Sequence, residues 1–163
     1  QTKLAINCLL KRVAFVCGPL EQAINGKFRL EGYKRALKSA GIPFDDKLVF
    51  ETDDTYKTGT LLQPALMSVN ATAAMVTDDE LAAGIMNGMS DAGITVPDQF
   101  EVITSNDTKL TEMVRPKMSS ITQPLYDIGA VAMRLLTKLM NNEEVDEKKV
   151  LLPYGLMKRE STK

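Results

Sequence analysis

The sequence predicts an α/β fold, a doubly wound parallel sheet with helices on both faces. Short apolar, β-branched runs alternate with amphipathic stretches, the connections between them are a few residues long, and no internal repeat or low-complexity segment interrupts the pattern. With 163 residues, 44% of them hydrophobic, the chain falls in the usual single-domain range and can bury a real core.

Taken in order, strands are expected at residues 12–17 (RVAFVC), 47–51 (KLVFE), 72–77 (TAAMVT), 100–105 (FEVITS), 117–122 (KMSSIT) and within 150–158 (VLLPYGLMK). The first helix follows the first strand: Phe28, Leu30, Tyr33, Ala36, Leu37 and Ala40 recur at helical spacing, Gly41 supplies a C-terminal cap and Pro43 lies just beyond. A helical pattern over 55–68 (TYKTGTLLQPALMS) carries Pro64, which should kink or shorten it. Another runs from Asp78 or Asp79 as cap to Gly93. The charge run 141–149 (NNEEVDEKK) reads as a solvated turn before the last strand.

Composition removes several function classes. The 20 basic and 21 acidic side chains nearly cancel, so the chain lacks the positive field of a domain that neutralises nucleic-acid phosphates. The absence of histidine excludes His-based triads, a histidine general base and imidazole metal ligands, and no metal or cofactor is expected. Cys8 and Cys17 sit in apolar surroundings without a C-x-x-C motif and read as buried core thiols. Neither G-x-G-x-x-G nor G-x-x-x-x-G-K is present, so nucleotide binding is unsupported. No run of about 18 apolar residues and no signal-peptide pattern occurs; no membrane association is expected, and the cytoplasm is the expected location. The chain does not begin with Met, and a fragment or processed product is expected.

In a doubly wound sheet, ligands bind at the carboxyl ends of strands. That rule singles out the loops after the first, third and fourth strands: GPLEQAINGKFR, TDDE and SNDT. The clusters Asp45–Asp46 and Asp53–Asp54 read as turn and capping carboxylates rather than catalytic pairs. Asp78 reads either as a plain helix cap or as an acceptor for ligand hydroxyls.

The stretch Gln123–Met140 (QPLYDIGAVAMRLLTKLM) is a helix with a surplus face. At about 100° per residue, Leu125, Ile128, Ala132, Leu135, Leu136 and Leu139 form a stripe ~120° wide. Asp127, Val131, Arg134 and Lys138 gather on the far side, with Tyr126 and Met133 flanking the stripe. This face is either ordinary solvated surface or a small mixed contact patch.

The ordered set VAFVCGPL, RLEGYKRALKSAGI, AAMVTDDELAAGIMNGMSDAGITVPDQFEVITSND, VRPKMSSITQPLYDIGAVAMRLL and LPYGLMKREST resembles, almost end to end, the effector-binding core of lactose-repressor-family transcription regulators. Within that family, RPKMSSITQPLYDIGAVAMRLLTKLMN is most similar to the catabolite-control branch. The resemblance implies a periplasmic-binding-protein-like fold, with residues 1–122 as C-terminal subdomain, 123–148 as a crossover helix belonging to the N-terminal subdomain, and 149–163 as return strand and tail. It implies no enzyme, a homodimer, and operator DNA bound through a headpiece outside this chain. It places Arg29, Asp78 and Asn106 in an effector pocket for a small phosphosugar, although Asn106 stands where the family carries an acid. It assigns Ala83, Met86, Met89, Leu110 and Met113 to subunit contacts, the alternative for the first three being a buried core helix. Finally, it implies that Tyr126, Asp127, Val131, Met133, Arg134 and Lys138 dock the phosphocarrier HPr when HPr is phosphorylated on a serine. A phosphoserine suits a guanidinium fork with an ammonium one turn away. The competing readings are a sugar-responsive repressor core, a periplasmic-type sugar-binding protein and a small flavodoxin-like enzyme. The second would want a signal peptide and aromatic crevice, whereas the chain has no Trp; the third wants a nucleophile–base pair.

Overall fold

The computed structural model describes residues 12–21, 24–145 and 149–163. Cys8 and the centre of the 141–149 charge run lie outside the described residues. Strands β1 (Val13–Cys17), β2 (Val49–Glu51), β3 (Ala73–Val76), β4 (Glu101–Thr104), β5 (Ser119–Thr122) and β6 (Gly155–Met157) form one sheet in the order β2-β1-β3-β4-β5-β6. All pairs are parallel except β5 with β6. Every expected strand is present, each trimmed at one or both ends, and the segment 46–48 before β2 is a 3-10 turn capped by Asp45. β1 and β3 are buried along their whole length, which explains why they read as unbroken apolar runs.

Helices α1 (Ile24–Ser39), α2 (Tyr56–Leu61), α3 (Gln63–Ser68), α4 (Asp79–Asp91) and α5 (Leu110–Met113) flank the sheet. Pro64 splits α2 from α3 by occupying the first turn of the second helix, where its missing N–H costs nothing. Two apolar layers result. Tyr33 and Leu37 of α1 pack on Val13, Phe15 and Met75 from one side, while Leu81, Ile85 and Met89 of α4 pack on Ala14, Val16 and Val102 from the other. Against the sequence expectation, Phe28 and Ala40 of α1 face solvent, and the inward face runs through Gly26, Arg29, Leu30, Tyr33, Ala36 and Leu37. Tyr33 hydrogen-bonds Val13 O at 2.7 Å, so the sheet selects the register that pairs this hydroxyl.

α2 crosses α4 at backbone contact. A Cβ on Gly84 would strike Tyr56 O and lie 2.9 Å from Gly59 Cα, so only glycine fits. This crossing covers the outer side of α4, and Ala83, Met86 and Met89 are buried in the chain's own core with no surface to offer a second subunit. Of the expected subunit contacts, Leu110 and Met113 on α5 are exposed.

The C-terminal tail wedges between the lower ends of β4 and β5. Ser161 Oγ donates to Val102 O at 2.6 Å and accepts from Ser119 N at 2.8 Å, while Val102 N donates to Ser161 O. Beyond β5 the chain rises into α6 (Leu125–Met140), none of whose sixteen residues is buried. Among the described residues, no helix is long and apolar enough to cross a membrane.

Candidate functional site

The strand order reverses between β1 and β3, and a cleft of about 210 Å³ opens there, at the carboxyl ends of β1 to β4. Cys17 from β1 and Gly18 just after it, Gly26 and Arg29 from α1, Asp54 after β2, Thr77 and Asp78 after β3, and Asn106 after β4 line it. The three residues expected in a pocket, Arg29, Asp78 and Asn106, meet in this cleft. Arg29 donates to Thr77 O at 2.7 Å and to Asn106 Oδ1 at 3.3 Å, and Asn106 Nδ2 reaches Asp78 Oδ2 at 3.4 Å.

The two carboxylates that begin α4 divide the work between them. Asp78 is the N-cap, accepting from Glu80 N at 2.8 Å and Leu81 N at 3.2 Å, with its second oxygen turned to the cleft. Asp79, 2% exposed, accepts from Thr104 Oγ1 at 2.6 Å, Asn106 N at 3.3 Å and Thr108 N at 2.7 Å. It buckles the loop after β4 to the head of α4 and thereby positions Asn106. Asp107 does not stand in for an acid at position 106. Its backbone is left-handed (φ 54°), and its carboxylate accepts from Arg159 at 2.7 Å and Thr111 at 3.2 Å.

Asp54, read from the sequence as a capping carboxylate, lines the cleft instead. It also adopts a left-handed backbone (φ 58°), which turns its carboxylate onto Gly18; a Cβ there would collide with it. Its Oδ1 is buried and has no hydrogen-bond partner among the described residues. Burial raises the Asp54 pKa above the ordinary carboxylate value, neighbouring Asp78 and Asp53 raise it further, and Arg29 opposes them. Burial also lowers the Arg29 pKa, against the pull of Asp54, Asp78 and Asp79. Cys17 is unpaired and 1% exposed; desolvation, then Glu51 and Asp54, push its thiol up to about 12, so it stays protonated and unreactive at neutral pH. The signal that finds Asp54 is the strand-end rule applied to the loop after β2, whose aspartates read as capping residues. Asp53 does serve that turn, accepting from Thr55 N and Oγ1, while its neighbour faces the cleft. Among the described residues, no group of three or more acidic or sulfur ligands could hold a metal ion.

The second site is α6. Ile128, Val131, Ala132 and Leu135 line a trough of about 470 Å³ against the return segment Lys149–Tyr154. Val131, placed by the helical wheel among the charged residues, thus borders the apolar trough as well. Leu125, Leu136 and Leu139, expected on the core face, are exposed, as are Tyr126, Asp127, Met133, Arg134 and Lys138. Among the described residues, neither Arg134 nor Lys138 has an ion-pair or side-chain hydrogen-bond partner. The positions one turn from Arg134 are Ala130, Val131, Thr137 and Lys138, so no acid sits beside it on the helix.

Residues 10–162 match the family described as periplasmic binding protein-like domain. The chain belongs to that family. Its sequence is 53% identical over 152 residues to catabolite control protein A of Streptococcus mutans, covering 93% of this chain and 46% of that protein. Among solved structures, the transcription regulator CcpA of Lactococcus lactis superposes with a TM-score of 0.91 at 41% identity, over 99% of this chain and 59% of that one. A transcriptional regulator CelR–cellobiose complex superposes with a TM-score of 0.88 at 29% identity, over 98% and 49%. The expected resemblance to lactose-repressor-type cores therefore holds, and the mixed sheet is the sheet of this periplasmic binding protein-like family. The chain spans about half the length of the curated relatives it matches.

Proposed function

We propose that the chain is the C-terminal part of the regulatory core of a carbon-catabolite regulator, a non-enzymatic protein that receives serine-phosphorylated HPr on α6. Residues 1–122 would form the C-terminal subdomain, 123–148 a crossover helix of the N-terminal subdomain, and 149–163 the return. The observation that carries the reading is the Arg134–Lys138 pair. Two like charges one turn apart cost an isolated helix a few tenths of a kcal/mol, and no acid beside Arg134 offsets that cost. Lys138 alone could complement the helix dipole from the last turn; Arg134 could not. An incoming dianion relieves both, the guanidinium binding two phosphate oxygens while the ammonium adds charge. Exposed Tyr126 and Met133 supply apolar contact nearby, Asp127 the opposite charge for a basic rim, and Val131 the junction with the trough.

The regulator would act as a homodimer in which exposed Leu110 and Met113 contribute to the subunit contact, and operator DNA would be held by a headpiece outside this chain. Docking on α6 and ligand in the cleft would bias the relative placement of two lobes, a population shift between DNA-competent and incompetent dimers.

Calorimetry with phosphorylated and unphosphorylated HPr tests the assignment. Wild type should prefer the phosphorylated form, and Arg134→Ala should lower that affinity by about ten- to a hundredfold, the worth of a charge-assisted hydrogen bond of ~1.5–3 kcal/mol. Equal binding of both forms by wild type, or an unchanged preference in Arg134→Ala, would remove HPr from the account.

A further inference from the structure

α5 is four residues long, and of these only Thr111 is buried. A helix this short does not hold its own shape in water, because nucleation fixes several backbone dihedrals for a single hydrogen bond. Its shape is imposed from outside. The Thr111 hydroxyl donates into the pair Asp107 Oδ1 and Thr108 O, at 3.2 and 2.8 Å, and Met118 N donates to Thr111 O at 2.8 Å. Arg115 closes the C-terminal end, donating to Glu112 O and Val114 O at 2.8 Å each.

The remaining anchor comes from the C-terminal tail. Arg159, just beyond β6, has a side chain that is 12% exposed. Its Nη1 donates to Asp107 Oδ1 at 2.7 Å and to Met118 O at 2.9 Å, and its Nη2 lies 3.5 Å from Glu112 Oε1. Its backbone N–H donates to Ser119 Oγ at 2.9 Å, which seats the tail on β5 and aims the side chain. One guanidinium thus ties together a residue before α5, a residue within it and a residue after it. A planar fork of several donors can do this; a single ammonium cannot reach all three acceptors.

The outward side of α5 is what this bracing presents. Leu110 and Met113, one turn apart, are 36% and 72% exposed, with Lys109, Glu112 and Arg115 exposed around them. An apolar centre with both signs of charge beside it is self-complementary. A two-fold axis through it sets Lys109 or Arg115 of one copy against Glu112 of the other. We infer that Arg159 is a positioning residue for the subunit contact: it acts through α5, holding Leu110 and Met113 in the shape that meets a second copy of this chain. The inference rests on reading α5 as part of the homodimer contact.

The test is sedimentation equilibrium of the 163-residue chain and its variants, with thermal unfolding and amide exchange alongside. Wild type should dimerise, and Leu110→Asp should dissociate the dimer with little change in melting temperature. Arg159→Met keeps a long apolar stem and the backbone bond to Ser119, so exchange should quicken over 107–114 and not elsewhere. Its dimer constant should weaken by about a hundredfold, because a tenfold loss of formed α5 counts once in each copy. Arg159→Lys should recover about tenfold of this, since an ammonium reaches Asp107 without Glu112. Well below the melting transition a loss of global stability leaves the dimer constant unmoved, so that constant reports on α5 itself. If Leu110→Asp dissociates the dimer while Arg159→Met leaves it at wild-type strength, the inference fails and the contact reading stands. A monomeric wild type, or a Leu110→Asp variant that still dimerises, removes the contact reading and the inference with it. Exchange quickened along the whole chain in both Arg159 variants also overturns it. Should Arg159→Met not fold, Asp107→Asn serves instead: it suits the left-handed backbone, should weaken the dimer by about tenfold, and overturns the inference if it does not.

Discussion

The cleft and α6 are the two places where this chain offers chemistry, and they are built in opposite ways. At the cleft almost every polar atom is tied to another element: Asp79 to the loop after β4, Arg29 to the end of β3, Asp107 to the C-terminal tail through Arg159. On α6 the charged side chains make no ion pair or side-chain hydrogen bond among the described residues, and three of its four leucines, Leu125, Leu136 and Leu139, are exposed. A site of the first kind is preorganised and fails when its supports are cut; one of the second kind survives substitution and loses only its partner.

That contrast can be broken or sharpened in steps. The largest effect should come from Leu81→Ala, at a fully buried position of α4, which should cost ~2–5 kcal/mol in chemical denaturation, whereas Leu139→Ala on α6 should cost less than about 1 kcal/mol. Comparable losses would mean that α6 is packed as firmly as the core. Asp79→Ala should follow, at roughly 2–4 kcal/mol, because three donors lose one buried acceptor. Hydrogen exchange should rise in the loop 105–108 before elsewhere; uniform loosening would argue against its role as a buckle. Gly129→Ala on α6 should stabilise by about 0.5–1 kcal/mol, since a Cβ there meets nothing within 4 Å and the helix gains propensity.

The pH dependence of Asp54→Asn should be smaller and has a defined sign. The folded pKa of Asp54 is raised, so between the ordinary carboxylate value and that raised value the folded chain holds the proton more tightly than the unfolded one. Stability therefore falls as pH rises through this window, and the cost is fully present above it. Asp54→Asn should raise the melting temperature at neutral pH and lose that gain below the ordinary carboxylate range. A pH-independent gain would trace to the left-handed backbone alone. Cys17 should resist iodoacetamide at pH 8 until the chain is unfolded, as its raised thiol pKa and burial require.

Most of the fold was legible along the chain. Fully buried parallel strands must be apolar throughout, and a helix must end where Gly41 or Gly93 takes a left-handed backbone, at φ 68° and 73°. The cleft was legible in part. The strand-end rule singled out the loops that carry Arg29, Asp78 and Asn106 and pointed to Asp78 itself, the family resemblance named Arg29 and Asn106, and the same rule reaches Asp54 when applied to the loop after β2. What hid Asp54 is that capping and ligand-facing aspartates look alike in sequence; Asp53 and Asp54 differ only in backbone conformation. Burial on α4 was not legible either. A run such as Leu81–Met89 suits a core helix as well as an interface, and the choice depends on whether another helix covers it.

By itself, the sequence determined the order and kind of elements, the absence of imidazole chemistry, and the amphipathic, cation-bearing character of α6, because these follow from residue type and local period. The tertiary structure alone decided that α2 covers α4, that Phe28 faces outward, that Asp107 belongs to Arg159, and that Asp54 points into the cleft unpaired. Each of these depends on which distant backbone arrives within a few ångströms, and contacts between residues far apart in the chain leave no local periodicity to read.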